Sequence, residues 1–225
     1  LGQQATQLNM DLDISDSRPS IVFFNGEYMG IHNIREKIES NYIEQNHGLE
    51  KGSFDMVENE DYAEAGNLLN YQALKELFNA DLSDQANFNR VAEPMDIENF
   101  TDLVITELAV ANTSINHNVM AWKPKSGGKW KWIVMDLDRG FFNPSDHLLD
   151  FYLEQDVWPL KVLFANSAYK EYFGKRMADH LYTTFHPDRM LELINTQKEI
   201  IEPEITRHID RWAGTTSSYG NAMPS

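Results

Sequence analysis

Two short stretches of the 225-residue chain carry side chains suited to chemistry on a metal-bound phosphate. The first is the polar loop 112–118, with the sequence Asn-Thr-Ser-Ile-Asn-His-Asn, and the second is Asp136-Leu137-Asp138. Carboxylate and amide oxygens are hard ligands that suit Mg²⁺ or Mn²⁺, and Mg²⁺ usually completes its shell with water and phosphate oxygens. These residue types could form a nucleotide–metal site, while their spacing alone favours a plainer alternative. The plainer alternative is a strand end with two aspartates next to a polar turn.

The elements around these stretches explain how they would meet. Apolar residues from Ile97 to Ala111 recur every three or four positions, which predicts a strong helix that begins after Asp96 and ends in the loop. Residues 119–122 and 130–135 are typical of two strands joined by a turn at 126–128. Because a hairpin brings its two ends together, we expect the loop before it and the aspartates after it to lie close together.

The rest of the pattern predicts an α+β fold rather than alternating βαβ units. A first hairpin is expected over 21–34, with a turn longer than the Asn25-Gly26 pair alone, and residues 49–61 look irregular. Helical spacing recurs in further segments: 36–47, 63–79, 159–173, 175–185 and 187–212. The expected organisation has three parts: a lead-in loop over 1–19, one domain over 20–213 and a flexible tail over 214–225.

Composition excludes several classes of protein. Hydrophobic residues make up 42% of the chain and charged residues 24%, which is ordinary for a globular domain and argues against disorder. The formal charge of −16 argues against nucleic acid as a partner. No apolar run approaches eighteen residues, so no transmembrane segment is expected. The chain has no cysteine, which removes disulfides and thiolate metal sites.

Four segments together resemble a known family. They are residues 21–38 (IVFFNGEYMGIHNIREKI), the loop and strand at 112–122, residues 129–141 (KWKWIVMDLDRGF) and the helical region from Leu163 to Trp212. Their motifs are similar to those of the CotH family, the spore-coat-protein-H-type atypical protein kinases. The likeness extends over nearly the whole chain from Pro19, and it rests above all on the two central segments.

The resemblance implies a protein-kinase-like fold: a mostly helical C-lobe-like region with two β-hairpins. It also implies Mg–ATP-dependent phosphoryl transfer to protein Ser or Thr. In that scheme Asp138 and Asn118 hold Mg²⁺ or Mn²⁺, and Asp136 is an auxiliary carboxylate. The implied hinge, whose backbone would meet the adenine of ATP, is Arg35-Glu36-Lys37.

The chain departs from the family pattern in two ways. Ser114 occupies the position of the expected catalytic aspartate, and no aspartate occurs between residues 103 and 135. A serine hydroxyl does not act as a carboxylate base at pH 7. His117 is a second candidate for a base or phosphate contact, although a loop histidine more often bonds the backbone. About 20 residues precede the first hairpin, so we expect the N-lobe to be incomplete in this chain.

Three functions stay open on these grounds. The chain is an active kinase domain, a catalytically inert kinase-like module, or a scaffold within a larger protein. The first requires a protein substrate, and the second requires a partner on a surface or in a coat. Relatives in the resembled family are often exported, which implies a secreted or cell-surface location.

The second hairpin has two further features. Its basic strip, formed by four lysines, could attract phosphate or an acidic substrate; lysines that protect an exposed sheet edge are the favoured explanation. The strip comprises Lys123, Lys125, Lys129 and Lys131. At least two of Trp122, Trp130 and Trp132 are expected to pack in the core, because a tryptophan buries a large area.

Overall fold

The computed structural model describes residues 1–7, 9–115, 119–141, 143, 145, 148–154 and 157–215. These residues form nine α-helices and two antiparallel sheets. The chain divides into two compact units, the first made of Leu1–Ser15 with Lys37–His186 and the second of Asp16–Glu36 with Pro187–Ser225. The mixture of helices and small antiparallel sheets agrees with the α+β prediction, but the sequence alone did not indicate this division.

A four-stranded antiparallel sheet with the order β4-β3-β5-β6 forms the centre of the first unit. Its strands are β3 (Phe54–Glu58), β4 (Tyr62–Ala65), β5 (Met120–Pro124) and β6 (Lys131–Ile133). Met56 of β3 lies opposite Trp122 of β5. The hairpin predicted over 119–135 is therefore present, and it is joined to a second hairpin that the sequence did not indicate.

The prediction that residues 49–61 are irregular was wrong, because β3 lies there as an inner strand. The strand has few residues, and Asp55 interrupts its apolar pattern although it is fully buried. Its carboxylate accepts hydrogen bonds from the Asn67 N–H at 3.1 Å and from Asn70 Nδ2 at 2.7 Å. A strand buried on both faces lacks polar–apolar alternation, so the hydrophobic pattern of its sequence does not indicate a strand.

The helix α5 (Ile97–Ala109) is the main buried helix of the first unit. Asp96 caps it by accepting the Asn99 N–H at 3.1 Å. The Asn99 side chain in turn accepts the Trp132 N–H at 2.6 Å and donates to the Trp132 carbonyl at 3.3 Å, which joins α5 to β6. All three tryptophans of the hairpin are buried, as expected.

The other helices of the first unit surround this centre. They are α1 (Gly2–Thr6), α2 (Ser40–His47), α3 (Leu69–Leu77), α4 (Gln85–Ala92), α6 (Leu148–Glu154), α7 (Leu160–Leu163) and α8 (Ser167–Tyr182). The lead-in predicted as a loop thus contains a short helix. The predicted helix break near residue 174 lies instead at Asn166, whose side chain caps α8 by accepting the Tyr169 N–H at 3.0 Å.

The second unit consists of the hairpin β1 (Ser17–Phe24) and β2 (Glu27–Arg35) with the long helix α9 (Pro187–Trp212). Phe24 pairs directly with Glu27, so the turn is the Asn25-Gly26 pair alone and not the longer turn that we predicted. Both turn residues have positive φ, 51° and 82°, which is the type I′ geometry that Asn-Gly favours.

Side chains near the end of α9 bind the backbone of β2. His208 Nδ1 accepts the Ile31 N–H at 2.9 Å, and Trp212 Nε1 donates to the Met29 carbonyl at 3.1 Å. Gly30 permits this contact, because its φ is 88° and a Cβ there would lie 2.4 Å from His208 Nδ1. None of the described helices is both long enough and apolar enough to span a bilayer.

Candidate functional site

The candidate site begins where α5 ends. The Asn112 N–H donates to the Glu107 carbonyl at 2.9 Å, and the Ala111 N–H donates to the Leu108 carbonyl at 3.1 Å. This is a Schellman motif, with Ala111 in the left-handed region at a φ of 54°. An alanine in that conformation costs roughly 1–2 kcal/mol relative to right-handed backbone. The helix end therefore turns the chain sharply into the polar loop.

Asn112 is the centre of the polar network at this helix end, and only 1% of it is exposed. Its Nδ2 donates to Glu107 Oε2 at 2.7 Å and to the Asp136 carbonyl at 3.4 Å. Its Oδ1 accepts the Ser114 N–H at 3.2 Å. The Tyr152 hydroxyl donates to the Asn112 carbonyl. One side chain thus ties α5 both to the start of the loop and to the segment that follows β6.

Burial controls the protonation of this network. It raises the pKa of Glu107 to about 8, against the opposing effect of the Asn112 hydrogen bond, and the negative charge of Asp136 adds to the rise. The Glu107 carboxyl is therefore mostly protonated at neutral pH. Burial, together with Glu107, also raises the pKa of Tyr152 far above its usual range, so its hydroxyl stays a donor.

The two aspartates lie in a tight turn that packs on the end of α5. Asp136 has a φ of 34°, and a 3₁₀ turn over Leu137–Arg139 follows it. The Phe141 N–H donates to the Val110 carbonyl at 2.6 Å. A Cβ on Gly140 would lie 2.9 Å from the same carbonyl oxygen, so only glycine allows this approach. Both aspartates of the turn remain exposed.

The structure thus brings Ser114 and Asp136 together through Asn112, and Asp138 follows in the same turn. Ser114 is buried, with 6% of its surface exposed. His117 and Asn118 lie outside the described residues. The contact between the loop and the segment after β6 is the one that we expected from hairpin geometry, while the chemical roles of these residues stay predictions.

A model of the family described as CotH kinase protein matches residues 7–223. The chain belongs to the CotH kinase family. The match covers nearly the whole chain, which confirms the resemblance found in the four segments. A search of curated proteins found no match.

Of the hinge residues that the CotH resemblance implies, Arg35 and Glu36 belong to the second compact unit and Lys37 belongs to the first. The Glu36 N–H already donates to the Asp16 carbonyl at 2.9 Å, and the Glu36 carboxylate accepts the Asp16 N–H at 3.2 Å. Lys37 forms an ion pair with Glu39. The role of these residues in binding adenine stays a prediction.

The donor set fits a metal that arrives with a nucleotide. No group of three or more His, Cys, Asp or Glu side chains able to hold a metal occurs among the described residues. Asp136 and Asp138 supply two exposed carboxylates, and Mg²⁺ is commonly held by one or two carboxylates plus phosphate oxygens. These residues therefore suit Mg²⁺ with ATP better than a metal cage made by the protein alone.

Sequence reasoning placed Asn112 in the polar loop without a role of its own, and it did not identify Glu107. Glu107 falls on the apolar face of α5, next to Leu108 and between Val104 and Ala111 in the helical repeat. A glutamate at a core position needs a polar partner, because burial of an unpaired polar group is costly. That glutamate, followed five residues later by an asparagine at the helix end, was the available signal.

Proposed function

We propose that this chain binds Mg–ATP in a kinase-like fold and transfers the γ-phosphoryl group to a Ser or Thr of a protein substrate. The observation that carries the proposal is the Asn112 side chain, which links the loop of the implied metal ligand to the turn of Asp136 and Asp138. Membership of the CotH kinase family supplies the reaction class.

The role proposed for each site residue follows from the ligand atoms of its side chain. Asp138 and Asn118 would hold the metal, and Asp136 would support them; bound Mg²⁺ supplies charge neutralisation on the phosphates. Phosphoryl transfer depends mostly on positioning and electrostatic stabilisation, with little covalent work for the protein. Ser114 in place of a carboxylate base would therefore lower the rate without abolishing nucleotide binding, and a general base is worth about 10²–10⁴-fold.

Thermal unfolding with ATP and Mg²⁺, with EDTA as the negative control, tests nucleotide binding. A ligand at a hundred times its Kd stabilises a protein by about 2.7 kcal/mol. For a chain of this size the expected rise in Tm is roughly 5–10 °C. Asp138→Ala should abolish the rise, whereas the charge-matched control Asp179→Ala, on the exposed side of α8, should keep it. An equal rise in both variants would place the nucleotide elsewhere.

Replacement of Ser114 tests phosphoryl transfer. Ser114→Asp restores the carboxylate that the family pattern has, and we expect phosphorylation of a mixed Ser/Thr protein substrate to increase by about 10²-fold or more. Ser114→Asn has a similar shape without a base, so its rate should stay at the parental level. If both variants show the parental rate, Ser114 does not occupy the position of the base.

A second candidate function is a non-catalytic kinase-like module that binds a protein on a cell surface or in a coat. Buried Ser114 favours it, because the described part of the loop offers no carboxylate. This candidate predicts that neither the parent nor Ser114→Asp transfers phosphate. It also requires a secreted or surface location, which fractionation of the producing cells would test.

A further inference from the structure

An open cleft of about 470 Å³ lies in the first unit, outside the candidate site. Its walls come from the end of α3, the end of α4 with the segment that follows it, and the β5–β6 hairpin. The lining residues are Leu77, Arg90, Glu93, Pro94, Lys123 and Gly128. The cleft thus joins two basic groups, one carboxylate and a small apolar wall.

Backbone hydrogen bonds hold the walls of the cleft in place. The Trp130 N–H donates to the Pro94 carbonyl at 2.7 Å, and the Asp96 N–H donates to the Trp130 carbonyl at 3.0 Å. Trp130 itself is fully buried. The hairpin and the segment between α4 and α5 are therefore fixed to each other, and the cleft is part of the folded unit rather than a gap beside a loose loop.

The basic groups of the cleft differ from Lys125 and Lys131, two hairpin lysines that have partners within the protein. Lys125 donates to the Gly52 carbonyl at 2.9 Å and lies 3.6 Å from Asp55, and Lys131 pairs with Asp11 at 2.5 Å. Within the described part of the chain, neither Lys123 nor Arg90 forms an ion pair. In a chain with 35 acidic and 19 basic residues, two unpaired cations that line one cleft are available for an external anion.

The cleft and the candidate site lie at opposite ends of the same hairpin. β5 begins at Met120, next to the loop, and Lys123 follows three residues later, about 10 Å along the strand. β6 ends at Ile133, three residues before Asp136. Lys131 lies opposite Trp122, the neighbour of Lys123, and precedes Asp136 by five residues, so the cleft lies roughly 15–20 Å from Asp136 along the hairpin. An extended peptide covers about 3.3–3.6 Å per residue, so this span needs about five or six residues.

We propose that this cleft is a docking subsite for one acidic side chain of the protein substrate, about five or six residues from the phosphoacceptor. The proposal rests on the kinase function proposed above. Arg90 pairs well with a carboxylate, since guanidinium and carboxylate match in a bidentate geometry. Leu77 and Pro94 contact the apolar stem of the bound residue. Glu93 and the overall charge of −16 disfavour a long acidic tract.

A double-mutant cycle tests the subsite. Two fluorescently labelled peptides are compared by anisotropy: Ser followed by five alanines and Glu, and the same peptide with Gln in place of Glu. The parent protein should bind the Glu peptide about threefold to fivefold more tightly. Arg90→Gln and Lys123→Gln should each reduce this preference, and the double variant should abolish it. The control Lys129→Gln removes an exposed lysine of the same hairpin, and this variant should retain the preference for the Glu peptide.

Three outcomes would overturn the subsite: no peptide binding by the parent, no preference for the Glu peptide, or an equal loss in Lys129→Gln. The last would show a general charge effect. The rise in Tm with ATP separates the two proposals, because Arg90 and Lys123 lie outside the nucleotide site. If the parent shows no preference for the Glu peptide but ATP still raises its Tm, only the subsite proposal is wrong. If the parent prefers the Glu peptide but ATP does not raise its Tm, the kinase proposal is wrong and the cleft is a binding site for acidic peptides.

Discussion

Helices α5 and α9 differ in how many of their residues are buried. α5 has 13 residues, and the nine from Asn99 to Glu107 are all buried. α9 has 26 residues, and none of them is buried. The candidate site lies at the end of the buried helix. Burial, rather than helix length, is therefore what fixes the positions of the site residues.

The two units also use their polar side chains differently. In the first unit, polar groups of α5 are buried and pair with groups far away in sequence, as Asp102 does with Arg176. In the second unit, His208 and Trp212 bond to the main chain of β2. We therefore expect mutations in the first unit to lower the stability of its whole core, and mutations in the second to open it locally.

The largest effect is expected from Asp102→Ala. The buried Asp102 carboxylate accepts two hydrogen bonds from Arg176 and lies 3.3 Å from His180 Nε2. Loss of this carboxylate leaves Arg176 without its buried partner and should lower the free energy of unfolding by about 3–5 kcal/mol. Glu98→Ala removes the exposed partner of the same arginine and should cost less than about 1 kcal/mol. Urea unfolding measures both, and equal losses would contradict the role of burial.

The next effect depends on pH and concerns Glu107. Its pKa is about 8 in the folded state and 4.5 when unperturbed. Between these values the folded state keeps a proton that the unfolded state loses, so stability falls as pH rises. Glu107→Gln keeps the shape without a charge and should remove this slope, which is up to about 1.4 kcal/mol per pH unit.

Urea unfolding from pH 4 to 9 measures the Glu107 effect. The free energy of unfolding of Glu107→Gln, relative to that of the parent, should increase as the pH rises from 5 to 8. The exposed control Glu50→Gln should follow the parental slope. Parallel curves for the parent and Glu107→Gln would mean that Glu107 ionises normally in the folded protein.

A smaller, local effect is expected from Gly30→Ala in the second unit. The added Cβ would displace His208, and the left-handed backbone adds strain, for a cost of roughly 1–3 kcal/mol. Gly26→Ala has a similar φ but open space around the added Cβ, so it should cost only the backbone strain. Hydrogen exchange should speed up at Ile31 in Gly30→Ala and stay unchanged in the first unit.

The smallest effect is expected when one methyl group is removed from α5 or from α9. Ile105 is fully buried in α5, so Ile105→Val should cost about 1 kcal/mol. Ile200 in α9 is 52% exposed, and Ile200→Val should change the stability by less than about 0.5 kcal/mol. Thermal unfolding of the two variants measures this difference. Similar values would mean that α9 is covered in solution.

The fold was predictable where local patterns carry its signal. Asn25-Gly26 indicated the first hairpin, and Asp96 with the apolar repeat indicated α5. The strand β3 was not predictable, because buried Asp55 has partners that lie 12 and 15 residues further along the chain. The division into two units was also hidden, since it joins the first hairpin with the last helix.

For the site, residue types and chain order determined by themselves that a polar loop and two aspartates flank one hairpin. Only the tertiary structure decided that Asn112 and a mostly protonated Glu107 hold these parts together. The reason is physical: the protonation of Glu107 depends on burial, and burial is a property of the packed core. No local pattern of residues specifies it.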